Sequence, residues 1–266
     1  MDIASIFGII LGIVLVVGAM VQQAGGAFGD LAAFISPASL MIVLGGTIAA
    51  TAIGFRVNEI LRVFTLVRFV ISKPRHSLPE ICKDLIAAAE IYRKGPAELE
   101  KHIETAQVNP FIKDGLTFIA GSISLEDLKS ILIQRENFRY NRELHESDLM
   151  KTLGAFSPAF GMIGTLIGLI FMLNNMGGGA EAMASIGPSM GVALITTFYG
   201  SLFSSLIFNP FSEKLKLRNK EQAQAHQLMI SGLLLIWAKK HQLDVKDQLT
   251  AYIAPGDRNT FFPEDE

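Results

Sequence analysis

Four stretches of this 266-residue chain, Ile3–Val21, Leu31–Phe55, Thr152–Met176 and Ala182–Phe211, contain no Asp, Glu, Lys, Arg or His. Each is long enough to cross a hydrocarbon core, which takes roughly 20 helical residues. Mean hydropathy is +0.39 and half the residues are hydrophobic, so membrane spans are tested before any soluble domain is counted. The expected fold is an all-α integral membrane protein, with four transmembrane helices and a large helical insert between spans 2 and 3. The first run has no basic leader and a longer apolar stretch than a signal core, so it is expected to stay as a first span. One cysteine, Cys82, rules out an intrachain disulfide and points to a buried or idle thiol.

Charge placement orients the spans. Of the 23 Lys and Arg, 15 lie in Arg56–Lys151 and 8 in Lys214–Arg258, while the connections Gln22–Asp30 and Asn174–Glu181 have none. Basic residues favour the cytoplasmic side, which predicts a cytoplasmic insert and cytoplasmic N- and C-termini. The expected domains are therefore 1–55 (spans 1 and 2), 56–151 (a cytoplasmic helical domain), 152–211 (spans 3 and 4) and 212–266 (a cytoplasmic helix and tail). The net charge of −2, spread over both polar segments, argues against nucleic acid as a partner.

The insert reads as helices with clear punctuation. Ser77-Leu-Pro-Glu80 matches a capping box for a helix stopping near Gly95. Pro96 opens a second helix, Asn109-Pro110 interrupts it, and a third ends near Gly121. Ser124-Leu-Glu-Asp127 caps a pattern that runs unbroken into span 3. After span 4, Leu228–Ala238 is apolar but too short to span, so it packs on other cytoplasmic helices or lies at the membrane interface. The sequence from Ala254 onward reads as a mobile tail.

No phosphate loop, zinc-protease helix, serine elbow or cysteine pair occurs, so no enzyme activity is expected. The histidines, His76, His102, His145, His226 and His241, have no ligand spacing and read as solvated surface residues. The spans say more. Gly161, Gly164, Thr165 and Gly168 fall on one face of span 3, and Ala193, Thr197, Gly200, Ser201, Ser204 and Ser205 form a second small face on span 4. Such faces serve either plain helix packing or a common partner site. Pro158 and Pro210 stand where spans 3 and 4 pass into polar helix, as hinges or as helix punctuation. An ion path normally needs a carboxylate at depth, and these spans have none. If the chain handles a cation, the carboxylate belongs to another polypeptide, because neutral hydroxyls cannot offset the ion's charge.

"PAFGMIGTLIGL" followed by "SIGPSMGVALITTFYGSLFSSLIFNP" resembles the four-span flagellar stator subunits of the MotA/PomA family. The specific part is Ala193-Leu-x-Thr-Thr-Phe-x-Gly-x-Leu202, then seven residues, then Pro210. The related three-span ExbB and TolQ subunits share the pore-helix pair but lack the second N-terminal span. The resemblance implies a multi-pass protein of the bacterial inner membrane, forming a homo-oligomeric ring, a pentamer, among membrane lipid. The ring surrounds single-span MotB/PomB partners, a dimer, that supply the ion-binding Asp. Ion passage turns the ring against the rotor protein FliG, driving flagellar rotation.

Carried over by position, Thr165, Thr197 and the adjacent Thr196 line the ion path, and Pro158 and Pro210 are coupling hinges. Gly161, Gly164, Gly168 and Gly200 are packing positions. Threonine at position 165 is the habit of the sodium-driven branch, so sodium is expected over the proton, though a threonine is also kept for packing. A transient Na+ or H+ is cargo, and no resident metal or cofactor is expected. Glu100 matches the family's rotor-facing glutamate by its spacing from Gly95. Tyr92 occupies the family's arginine position, so Arg93 or Lys94 stands in; the cluster is a rotor contact or an ordinary solvated face. The alternative function is a related energy-coupling subunit, ExbB/TolQ-like or from a gliding or defence motor, powering another machine.

Overall fold

A computed structural model describes residues 3–23, 25, 28–62, 77–105, 108–176, 179–256 and 258. The helices are α1 (Ile3–Gln23), α2 (Pro37–Leu40), α3 (Gly46–Gly54), α4 (Val57–Leu61), α5 (Leu78–Lys94), α6 (Pro96–Thr105), α7 (Pro110–Ala120), α8 (Leu125–Asn175), α9 (Gly179–Phe203), α10 (Asn209–Trp237) and α11 (Gln242–Thr250). Phe28–Phe34 is a 3-10 turn, and π-helical turns join α2 to α3 at Met41–Gly45 and α9 to α10 at Ser204–Phe208. No strand occurs among the described residues, and the all-helical expectation holds. Residues 257 and 259–266 of the expected tail, and His76, lie outside the described residues.

The chain forms two compact units, Met1–Lys73 with Leu144–Lys216, and Pro74–Glu143 with Leu217–Glu266. The first is built inside out for water. Leu166, Ile170, Phe171 and Ile53 are exposed, the last 90 % so, whereas Ser39, Thr47, Thr51, Thr196 and Ser204 are buried. A surface of large apolar side chains over buried hydroxyls and a small apolar cluster of Leu149, Met150, Leu153, Phe211 and Leu215 suits lipid surroundings, where tight packing and interhelical hydrogen bonds hold helices together. Among the described residues, three helical stretches have the length and composition to cross a membrane: Leu31–Gly54, and the apolar parts of Leu125–Asn175 and Ile186–Trp237. Helix α1, Ile3–Gln23, has 21 residues and contains no Asp, Glu, Lys, Arg or His.

The second unit has an ordinary water-excluding core. Leu85, Leu99, Ile112, Leu116, Leu128, Leu132, Leu228 and Leu233 are fully buried in one cluster drawn from α5, α6, α7, α8 and α10. Leu228–Ala238 therefore packs on its neighbours in this unit, and the Trp237 indole donates to the Ile123 carbonyl at 2.8 Å. The expected punctuation is present. Ser77 and Glu80 form the capping box, Gly95 ends α5 at φ 141°, Asn109 caps α7, and the Ser124 hydroxyl accepts from the Asp127 N–H at 3.1 Å. Cys82 is buried, and burial pushes its thiol up to about 12.

The surface reading of the histidines needs correcting. His226 is largely buried, stacked on Phe111 at 4.5 Å and paired through Nδ1 with Glu136. Phe111 covers one face of the ring, and the Glu136 carboxylate satisfies its Nδ1. Arg139 completes this network through Glu136, Glu143, Asn219 and Gln222. Burial raises the Glu136 carboxyl, but hydrogen bonds from Arg139 and His226 and their charges outweigh it and hold the group below its usual range. His102 Nε2 is also buried and has no hydrogen-bond partner.

Candidate functional site

Helices α8 and α9 meet along the small faces, and the glycines make that approach feasible. A Cβ on Gly161 would stand 3.0 Å from the Thr196 carbonyl oxygen, and one on Gly164 2.5 Å from the Thr196 side chain. On Gly168 it would stand 2.6 Å from the Ser189 carbonyl, and on Gly200 2.7 Å from the Ser157 carbonyl. All four positions are thus places where a side chain would push the helices apart. At this separation, side chains on one helix reach the backbone of the other.

Thr165 and Thr197 use that reach. Their hydroxyl oxygens are 2.5 Å apart. Thr165 Oγ1 lies 3.1 Å from the Gly161 carbonyl of its own helix and 2.9 Å from the Ala193 carbonyl of α9. Thr197 Oγ1 lies 3.4 Å from Gly161 O and 3.5 Å from Ala193 O. Two hydroxyls and two carbonyls therefore form one cluster of four oxygens shared by two helices. Thr197 is exposed and Thr165 half-buried, so the cluster opens away from the α8–α9 contact. Two hydroxyl protons have acceptors within the cluster, one of them the other hydroxyl, and the hydroxyl lone pairs not used in that bond are left for a ligand on the open side. What the cluster lacks is charge: the helices around it contribute no carboxylate from Thr152 to Met176 or from Ala182 to Phe211.

Thr196 is placed differently. It is fully buried, and its hydroxyl donates to the Val192 and Ala193 carbonyls, each at 3.0 Å. Its side chain fills the space against Gly164. The structure brings Thr165 and Thr197 together and sets Thr196 into the packing beside them.

Neither proline breaks its helix. Pro158 lies inside the continuous 51-residue α8, and Pro210 is the second residue of α10, directly after the π turn Ser204–Phe208. A proline ring crowds the carbonyl four residues back, and a widened turn just before Pro210 relieves that crowding. Four polar residues bracket the prolines. Ser157 Oγ donates to Gly200 O at 3.1 Å, Ser204 Oγ to Gly154 O at 2.8 Å, and Ser147 and Ser212 exchange hydrogen bonds with each other's carbonyls at 3.0 and 2.9 Å. The sequence reading counted Ser204 among the small residues and gave the others no role. The signal available was the proline itself, since Pro158 removes the N–H that Gly154 O would otherwise accept.

In the second unit Arg93 and Lys94 end α5, and Glu100 lies on α6; all three are exposed. Lys94 pairs with Glu90 at 3.2 Å, and Tyr92 carries Lys239 Nζ 5.6 Å from its ring centroid. Among the described residues no group of three His, Cys, Asp or Glu side chains converges as a metal site.

Residues 103–227 match the family model described as MotA/TolQ/ExbB proton channel family. The chain is 31 % identical to Motility protein A of Borreliella burgdorferi over 97 % of its length and 96 % of that protein. It is 28 % identical to Chemotaxis protein PomA of Vibrio alginolyticus, over 97 % of this chain and 98 % of that one. Its fold matches a chain in the structure of the flagellar MotAB stator complex from Bacillus subtilis with a TM-score of 0.84, at 27 % identity, covering 97 % of this chain and 98 % of that chain.

Proposed function

The chain belongs to the MotA/TolQ/ExbB proton channel family as a flagellar stator subunit of the MotA/PomA type, and on that premise we propose that it conducts sodium through the Thr165–Thr197 oxygen cluster and converts the ion gradient into rotor torque. The observation that carries this reading is the cluster itself: four neutral oxygens from two helices, open on one side, in a stretch without an ionisable group. A sodium ion leaving water needs several replacement oxygens and a compensating charge. The cluster offers hydroxyl oxygens, and a single-span partner of the MotB/PomB type supplies an aspartate. A proton needs only the aspartate.

In this reading residues 1–55 and 152–211 form four membrane spans of the bacterial inner membrane, while 56–151, 212–266 and both termini are cytoplasmic. The basic residues of both polar segments support that orientation. Copies of the chain surround a partner dimer as a ring, taken as a pentamer, and no resident cofactor is required. An ion crossing 100 mV releases roughly 2.3 kcal/mol, enough to bias one step between neighbouring subunits. The step reaches the rotor protein FliG through Arg93, Lys94 and Glu100, whose exposure leaves them available. Pro158 and Pro210 act as joints on the way. The role is mechanical and electrochemical rather than enzymatic.

The test is swimming speed in cells whose only stator is this chain with its cognate partner, against external sodium at fixed pH and membrane potential. Speed that rises and saturates with sodium is the expected result. Speed indifferent to sodium assigns the path to protons and leaves Thr165 a packing role.

A further inference from the structure

The carbonyl that Pro158 orphans is the one Ser204 occupies. In a regular helix Gly154 O accepts from the N–H of residue 158, and a proline there has none to give. A buried carbonyl without a donor is costly, so a replacement is needed. Ser204 Oγ supplies it from the other helix at 2.8 Å, in a fully buried bond. The same hydroxyl oxygen accepts from Asn209 Nδ2 at 3.0 Å, and Asn209 is the residue immediately before Pro210. Asn209 also lies so close to Gly154 that a Cβ there would meet its Oδ1 at 2.1 Å. Ser204 opens the π turn that ends at Phe208, so this contact falls where the backbone ladder is already re-registered.

We infer that Gly154, Ser204 and Asn209 form a polar clasp that ties α8 at Pro158 to the helix turn at Pro210, with Ser204 and Asn209 as positioning residues for the two helices that carry the ion path. The functional half of this inference rests on the stator reading above. Because Ser204 holds both the orphan carbonyl and the amide beside the second proline, one joint cannot change without disturbing the other's hydrogen bond. Gly154 is required because Asn209 occupies the space of its side chain.

The clasp makes a specific non-additive prediction. Pro158→Ala returns an N–H to Gly154 O and removes the need for the serine. In the full-length chain extracted from the membrane in its assembly, Ser204→Ala lowers the melting temperature by about 2–4 °C, the expected effect of one lost buried hydrogen bond in a chain of this size. In the Pro158→Ala background the same change costs less than half as much. Equal costs in both backgrounds overturn the clasp, and this cycle needs no rotation to be scored. The positioning role is read from torque per stator unit, as the speed increments when units join a motor one at a time. Ser204→Ala lowers that increment severalfold while the ion concentration giving half-maximal speed stays unchanged, a split that a mere loss of assembled units does not produce. An unchanged increment overturns the positioning role while leaving the stator reading intact. Failure of the stator reading shows itself separately, as no rotation with the unsubstituted chain.

Discussion

At the scale of single residues, space decides what the small positions tolerate. A Cβ on Gly168 meets backbone atoms, Ser189 O at 2.6 Å and Ala193 N at 2.8 Å, and backbone cannot swing aside. Gly168→Ala is therefore expected to cost about 1–3 kcal/mol through overpacking, more than its gain in helix propensity returns. Gly18→Ala, with nothing within 4 Å, costs nothing. Thermal melting of the two variants checks the contrast. Cys82 gives a second prediction: buried, with its thiol pushed up to about 12, it resists alkylation at neutral pH in the folded chain and reacts once the chain is unfolded. The packing glycines were legible in the sequence, because helical spacing puts Gly161, Gly164 and Gly168 on one face of their helix; the pairing of Thr165 with Thr197 came from the family resemblance, and Cys82 was read from its being the lone cysteine. The separation of Thr196 from that pair was not legible, since adjacent residues differ by 100° of helix rotation and only the neighbour's position says which one it covers. His226 was likewise out of reach, because its carboxylate partner lies 90 residues away in the chain.

At the scale of elements, the second unit depends on a tight apolar contact and one charged network. A Cβ on Gly115 would lie 2.3 Å from Leu233, and one on Gly232 2.6 Å from Leu85, so α5, α7 and α10 interlock through glycine notches. Leu233→Ala empties one notch and is expected to cost about 2–5 kcal/mol, measured by denaturation of the intact chain. Glu136 links α8 to α10 through Arg139 and His226. Its carboxyl is held below the usual range, so its contribution is fully present above the unfolded value of about 4.3 and is lost as pH falls through the lower folded value. Melting temperature should drop over that acidic window, and Glu136→Gln should flatten the drop. Element boundaries were readable from Ser77, Gly95, Asn109 and Ser124, each of which satisfies a free backbone group or adopts a conformation that ends a helix. The π turns were not: Ser204–Phe208 is marked only by Pro210 just after it, and Met41–Gly45 by no proline that follows.

At the scale of the whole molecule, the two units differ in what they bury: the first buries Ser39, Thr47, Thr51, Thr196 and Ser204 beside a small apolar cluster of Leu149, Met150, Leu153, Phe211 and Leu215 and exposes many large apolar side chains, whereas the second encloses one large apolar core. Helices α8 and α10 belong to both units. On the proposed reading, the charge that the oxygen cluster lacks comes from a partner chain, so the function belongs to an assembly. The decisive measurement is flagellar rotation in cells whose only stator carries both Thr165→Val and Thr197→Val, with the amount of assembled complex in the membrane measured alongside. Valine keeps the shape and removes the oxygens. Rotation abolished at an unchanged level of assembly is the predicted result, and normal rotation with both substitutions would contradict an ion path built on these hydroxyls.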